Sequence, residues 1–160
     1  MRRRGFTLLE VLTVVGIVGV ASALAVPTLE SALATSRLNG AARAVIGSLR
    51  QARAAAIARQ DTGAFRVENA GIRVDTSTRY VVFLDPDDDP SNGNEQTLLT
   101  VNLADHAPDG HLHFLVAAVG LSFRFARDGS TTAGKLTIED SNTNQVRAIL
   151  VSAAGFASLE

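Results

Sequence analysis

The sequence predicts an α+β protein: one long N-terminal α-helix, membrane-spanning in its first half, packed in its second half on a C-terminal antiparallel β-sheet or sandwich. Three observations predict it. An apolar run fills Phe6 to Val26 behind three arginines, an Ala- and Leu-rich stretch with helical spacing continues to about Gln60, and from Gly63 onward the pattern alternates and turn residues multiply. The chain divides accordingly into a basic start (1–5), an apolar helical segment (6–27), an amphipathic helical segment (28–61) and a β-rich globular segment (62–160).

The apolar segment is long enough to cross a bilayer, because about 20 helical residues rising roughly 1.5 Å each match a hydrocarbon core of about 30 Å. Arg2, Arg3 and Arg4 before it place the N-terminus on the cytoplasmic side and export the remainder. One carboxylate, Glu10, interrupts the run. An ionisable group at the bilayer centre costs about 2.5 to 3.5 kcal/mol on insertion scales, so it calls for a cationic partner, and the run contains none. A cleavable secretory signal or a plain anchor would share the basic start and apolar core, but both leave Glu10 without a purpose.

After Pro27, which removes a backbone donor and predicts a kink or local melt, Leu29, Leu33, Ala41, Val45, Leu49, Ala52 and Ala56 form a stripe at spacings of mostly three and four. That stripe is expected to lie under the globular segment. Gly40 and Gly47 either permit close packing there or are simply tolerated. Arg37, Arg43, Arg50, Arg53 and Arg59 occupy a stretch with no acid between Glu30 and Asp61, and Arg43, Arg50 and Arg53 project to one side. They read as a solvated face, a contact for acidic loops of a neighbour, or a phosphate-binding strip.

Eight short strands are expected: Ala64 to Val67, Ile72 to Val74, Arg79 to Leu84, Thr97 to Leu103, His111 to Val116, Leu121 to Phe125, Lys135 to Ile138 and Val146 to Ser152. Leu121, Phe123 and Phe125 share one face as core, with Ser122 and Arg124 on the other. The loop from Asp85 to Glu95 holds five carboxylates and two asparagines. It is chiefly a solvated turn; a hard cation could use Asp85, Asp87, Asp89 and Glu95, but Pro90 stands where an EF-hand loop needs glycine.

Several chemistries have little support. There are no cysteines, hence no disulfide or thiolate metal site. His111 and His113 lack a third ligand at metal spacing, and Ser130, Thr131 and Thr132 lack a neighbouring base, so no catalytic residue, metal or cofactor is assigned.

The residues Arg2-Arg3-Arg4-Gly5, Phe6-Thr7-Leu8-Leu9-Glu10 and the apolar stretch closed by Pro27 resemble the class III leader of type IV pilins and type II secretion pseudopilins. The resemblance implies that a prepilin peptidase cuts between Gly5 and Phe6 and methylates the new amino terminus of Phe6. It also implies that Glu10 pairs with the terminal amine of a neighbouring subunit and that Glu10 and Pro27 serve assembly. Loss of residues 1–5 leaves 12 basic and 16 acidic residues, which argues against a generally nucleic-acid-binding surface. The pattern Ala-Arg-x-x-Ala-Ile-x-Arg in Ala52 to Arg59, Phe83-Leu84-Asp85 before the acidic loop, and Phe125 to Gly129 with Val151 to Gly155 are similar to the GspH/FimT branch.

The resemblance therefore implies a pilin-like fold and a minor pilin or pseudopilin, initiating or tip-located, of a type IV pilus or type II secretion pseudopilus. Its partners would be other pilin or pseudopilin subunits, the prepilin peptidase, the inner-membrane assembly platform, and the membrane before assembly. Its place would be the bacterial inner membrane with the globular domain periplasmic, then a filament. Two alternatives stand beside it: a DNA-binding minor pilin for natural uptake, using Arg124, Arg127, Lys135 and Arg147 if they converge, and a membrane-anchored periplasmic hydrolase.

Overall fold

The computed structural model describes residues 7–58, 68–87, 89, 92–107 and 109–160. Helix α1 spans Leu8–Ala58, followed by β1 Asn69–Thr76, β2 Arg79–Asp85, β3 Gln96–Asn102, β4 Leu112–Phe114, β5 Ser122–Phe125, β6 Gly134–Asp140, β7 Gln145–Val151 and β8 Ala157–Leu159. The strands form two four-stranded antiparallel sheets, ordered β3-β2-β1-β5 and β4-β6-β7-β8. This is the expected mixture of one long helix and antiparallel sheets.

The start of α1 is written in Thr7-Leu8-Leu9-Glu10. The Thr7 hydroxyl accepts the backbone N–H of Glu10 at 3.3 Å. Thr7 thus caps the start of α1, and the negative charge of Glu10 in the first turn suits the positive end of the helix. The helix then passes position 27 without a break, so the local melt expected at Pro27 is not found. A proline can be carried in a helix where surrounding contacts or solvent satisfy the freed carbonyl.

The second half of α1 supplies one wall of the core. Leu38, Ala41, Val45, Leu49, Ala52 and Ala56 are almost wholly buried. Leu29 and Leu33, expected under the domain, are exposed instead, because the buried face of the helix starts only at Ala34. At this margin the contact is polar. Ser31, Thr35 and Asn39, one helical turn apart, meet Gln145 and Arg147 on one face of β7. Gly40 and Gly47 face open space, so neither serves the packing of α1 on the sheets.

Alternation along the strands fills the other wall. Ala70, Ile72 and Val74 of β1, Tyr80, Val82 and Leu84 of β2, Phe123 and Phe125 of β5, Leu136 and Ile138 of β6, and Ile149 and Val151 of β7 point inward. Leu121 packs against this cluster from its margin. Tyr80 joins the two sheets to the helix. Its ring meets Phe114 edge-on at 6.0 Å, and its hydroxyl lies 3.0 Å from that of Ser48 inside the core.

The strands depart from expectation in two places, and one expected strand cannot be compared. Strand β4 is only Leu112–Phe114, since residues 116–118 turn into a 3-10 helix. Strand β8 was not expected, and it completes the second sheet beyond the Gly155 turn. The expected strand Ala64 to Val67 lies outside the described residues.

Candidate functional site

Gly5 and Phe6 lie outside the described residues, but the helix start beside them is defined. From Thr7 to Leu24 every side chain is exposed, Leu8 at 88% and Leu12 at 69%. Glu10 lies in the first turn of this apolar stem. Among the described residues no cation meets it. It is the one helix of the described residues long and apolar enough to cross a membrane. A stem with no covering of its own has to be covered by lipid or by another protein.

The acidic loop is held at its base by arginine. Arg124 of β5 donates to both Asp85 and Glu95, which begin and end the loop, and Glu95 also accepts from Arg73. The register explains how. Gly71 of β1 stands between Phe83 and Arg124, and an added Cβ there would lie 2.7 Å from the Phe83 ring. Without that atom the Arg124 guanidinium reaches over to the ring at 5.0 Å, while Arg73 flanks it at 5.7 Å. Phe83 and Asp85, two residues apart on one face, are thus the two halves of one arginine socket. Hydrogen bonding to Glu95, with Asp75 adding to it, raises the Arg73 pKa further.

Of the four possible cation ligands, Asp85 and Glu95 are therefore occupied by guanidinium groups. Asp87 accepts from the Asn92 and Asn94 side chains, and its carboxylate also accepts the Asp89 N–H, which holds its pKa below the usual range. These bonds shape the loop from within. No group of three or more potential ligands suited to a metal occurs among the described residues.

The four basic candidates for nucleic acid do not converge. Arg124 is held by Asp85 and Glu95, Arg127 by Glu68, Lys135 by Glu160 and Arg147 by Asn39, and they are divided between both sheets and a turn. His113 faces Glu139 across the β4 and β6 pair, 3.6 Å away. Ser130 donates its hydroxyl to Asp128 at 2.6 Å, which closes the turn and lowers the Asp128 pKa.

One constellation was not anticipated. Arg53 donates from Nε to the Gly129 carbonyl at 3.1 Å and lies 4.5 Å over the Phe156 ring. Gly129 and Gly155 both have positive φ, and a Cβ on Gly155 would come within 2.0 Å of the Gly129 carbonyl. The arginine of the helix pattern and the glycines of the two C-terminal turns, over a hundred residues apart at the extremes, thus meet in one contact. Sequence spacing gave the three motifs; their convergence needed the fold.

The family described as type II transport protein GspH matches residues 41–155, and the prokaryotic N-terminal methylation motif matches residues 1–26. No curated protein and no solved structure is matched. The two matches divide the molecule as its geometry does, the methylation motif on the exposed stem and the GspH match over the helix face, both sheets and the turns around Arg53. The chain belongs to the GspH family, a pilin or pseudopilin subunit of type II secretion or type IV pili.

Proposed function

We propose that the chain is a minor subunit, initiating or tip-located, that is cut between Gly5 and Phe6, methylated on the Phe6 amine and drawn from the inner membrane into a filament. The exposed apolar stem carries this reading. In the membrane, lipid covers it; in the filament, the stems of neighbours do. The globular domain lies on the periplasmic side, as the basic residues before the stem require.

Cleavage creates the cation that Glu10 lacks. A new amine at Phe6 is only four residues from Glu10 in the sequence, so subunits stacked by their stems can bring a neighbour's amine to Glu10. In a low-dielectric setting the pair forms only when both partners are present. The socket at Arg124 ties the two ends of the acidic loop to β5, and the contact at Arg53 ties the C-terminal turns to α1. Family members are structural subunits, and no residue here is assigned a catalytic role.

Mass spectrometry of the protein from cells with an active prepilin peptidase tests the processing step. The expected product begins at Phe6 and carries one added methyl group, and replacement of Gly5 by a bulky residue leaves residues 1–5 attached. Recovery of the intact Met1 terminus beside a working peptidase would contradict the proposal.

A further inference from the structure

Between the outer side of α1 and the last strand runs a groove that the fold itself leaves open. One end, about 480 Å³, is lined by Arg43, Ile46, Gly47 and Arg50 of the helix and by Ala157 to Leu159. It continues past Arg50 into a wider part of about 590 Å³ beside Arg53, Ile57 and Phe156. Arg43 and Arg50 are exposed, and among the described residues neither is paired with a carboxylate. That distinguishes them from Arg37, Arg73, Arg79, Arg124 and Arg127, each of which has an acidic partner. Phe156 is 63% exposed, although its ring is fixed by Arg53.

We propose that this groove receives an acidic, partly apolar segment of a neighbouring, different subunit. Charge complementarity and lining select that occupant. Arg43 and Arg50 are seven residues apart, so they project within about 20° of each other and are separated by about 10 Å along the helix. An extended segment rises about 3.3 Å per residue and turns every second side chain to one face. Carboxylates two or four residues apart, about 7 or 13 Å, would therefore lie on that face within reach of both guanidiniums. An apolar side chain between them would lie against Ile46 and Phe156. Arginine and pre-ordered aromatic side chains are the groups enriched where protein interfaces concentrate their binding energy.

Other occupants fit less well. The helix is continuous, and at about 1.5 Å per residue Arg43 stands about 25 Å beyond the end of the apolar run, out of reach of lipid headgroups. Two unpaired guanidiniums on a chain with an acidic excess after cleavage offer a nucleic acid few phosphate contacts. The chain's own Asp85 to Glu95 loop has its acids engaged at the base by Arg124 and Arg73, which disfavours a second copy.

The inference rests on the subunit reading above, and the test separates the two. Phe156 is replaced by the photo-crosslinking analogue p-benzoylphenylalanine in the full chain, which is co-produced with the pilin or pseudopilin subunits encoded beside it and extracted in detergent. The expected crosslink falls in a different subunit, in a stretch with carboxylates two or four residues apart. The double variant Arg43→Glu, Arg50→Glu should lower its yield by at least about tenfold, since like charges then face each other, while Arg79→Glu outside the groove should not. A carboxylate-to-lysine change in the crosslinked stretch should restore the yield with the double variant. A crosslink to a second copy or to a stretch without acids overturns the proposal, as does a yield indifferent to charge reversal. Retention of a DNA duplex that the double variant abolishes, without a subunit crosslink, overturns it in favour of nucleic acid. If the chain co-purifies with its partners but gives no crosslink, the groove proposal fails and the subunit reading stands. If the unaltered chain associates with none of them, both fail.

Discussion

From Leu8 to Leu33 every described side chain of α1 is exposed, whereas from Ala34 to Ala56 the same helix carries a buried face that walls the core. The first half is Val- and Leu-rich around its whole circumference; the second is Ala-rich on one side and Arg-bearing on the other. A helix apolar all round belongs inside a membrane or a bundle, and one with a single apolar face belongs on the surface of a domain. One unbroken helix is thus made of two pieces that answer to different surroundings. Stability of the domain is decided in the second piece, and under the proposed function assembly is decided in the first.

The division can be broken most severely away from the helix, at the turn that Arg53 holds. Gly155→Val should place a Cβ against the Gly129 carbonyl at a positive φ, with overpacking and backbone strain together costing about 3 to 5 kcal/mol. Thermal unfolding of the full chain in detergent micelles measures it. A paired substitution sharpens the comparison further. Leu49→Ala, in the buried half, should destabilise the domain by about 3 kcal/mol, while Leu12→Ala, in the exposed half, should change it by less than about 0.5 kcal/mol. Equal losses at the two positions would mean that the stem is part of the domain's folding unit.

A smaller effect concerns pH. Burial pushes the Tyr80 pKa up from 10.0, and the hydrogen bond to Ser48 partly opposes the shift. A folded-state pKa above the unfolded one means that the protonated phenol favours folding. This contribution is fully present below about pH 10 and declines as pH rises through the folded-state value. The decline should disappear in Tyr80→Phe, whose stability above pH 10 is followed by the same thermal unfolding.

Much of this architecture was legible from periodicity. A helical stripe through Ala41, Val45, Leu49, Ala52 and Ala56, and alternation through Phe123 and Phe125, identify buried faces because each period has one geometric meaning. Leu29 and Leu33 were misplaced for a related reason. They continue the stripe, but periodicity does not reveal where the sheets stop, and the polar row Ser31, Thr35 and Asn39 marks that edge. Strand β8 was hidden by its three-residue length and by the preceding Gly155 turn.

The candidate site was legible at its start and obscure elsewhere. Gly5, Phe6 and Glu10 lie in one contiguous motif, so their relation could be seen directly, although the cap made by the Thr7 hydroxyl was overlooked within it. Arg124 could be assigned to the outer face of its strand, but its partners Asp85 and Glu95 are 39 and 29 residues away. Only the register that sets Gly71 between Phe83 and Arg124 brings them together.

The place of Glu10 in the first turn also dictates how it is best tested. Alanine would remove the charge and most of the side chain together, whereas glutamine keeps the side chain's length and polarity and removes only the charge. The Thr7 cap, which takes the backbone N–H of residue 10, survives either change. In full-length Glu10→Gln, insertion should persist, since the span becomes more apolar, and the domain should unfold as in the unaltered protein. What should be lost is recovery with partner subunits in the assembled filament. An amine left unpaired in a low-dielectric contact costs about 3 to 5 kcal/mol, a reduction of about a hundredfold or more in docking. Quantitative recovery of Glu10→Gln in filaments, relative to the unaltered chain, is the most direct measurement. Near-complete exclusion of the inserted, folded variant is the predicted result; recovery at the level of the unaltered chain would contradict the docking role and leave the stem as an anchor.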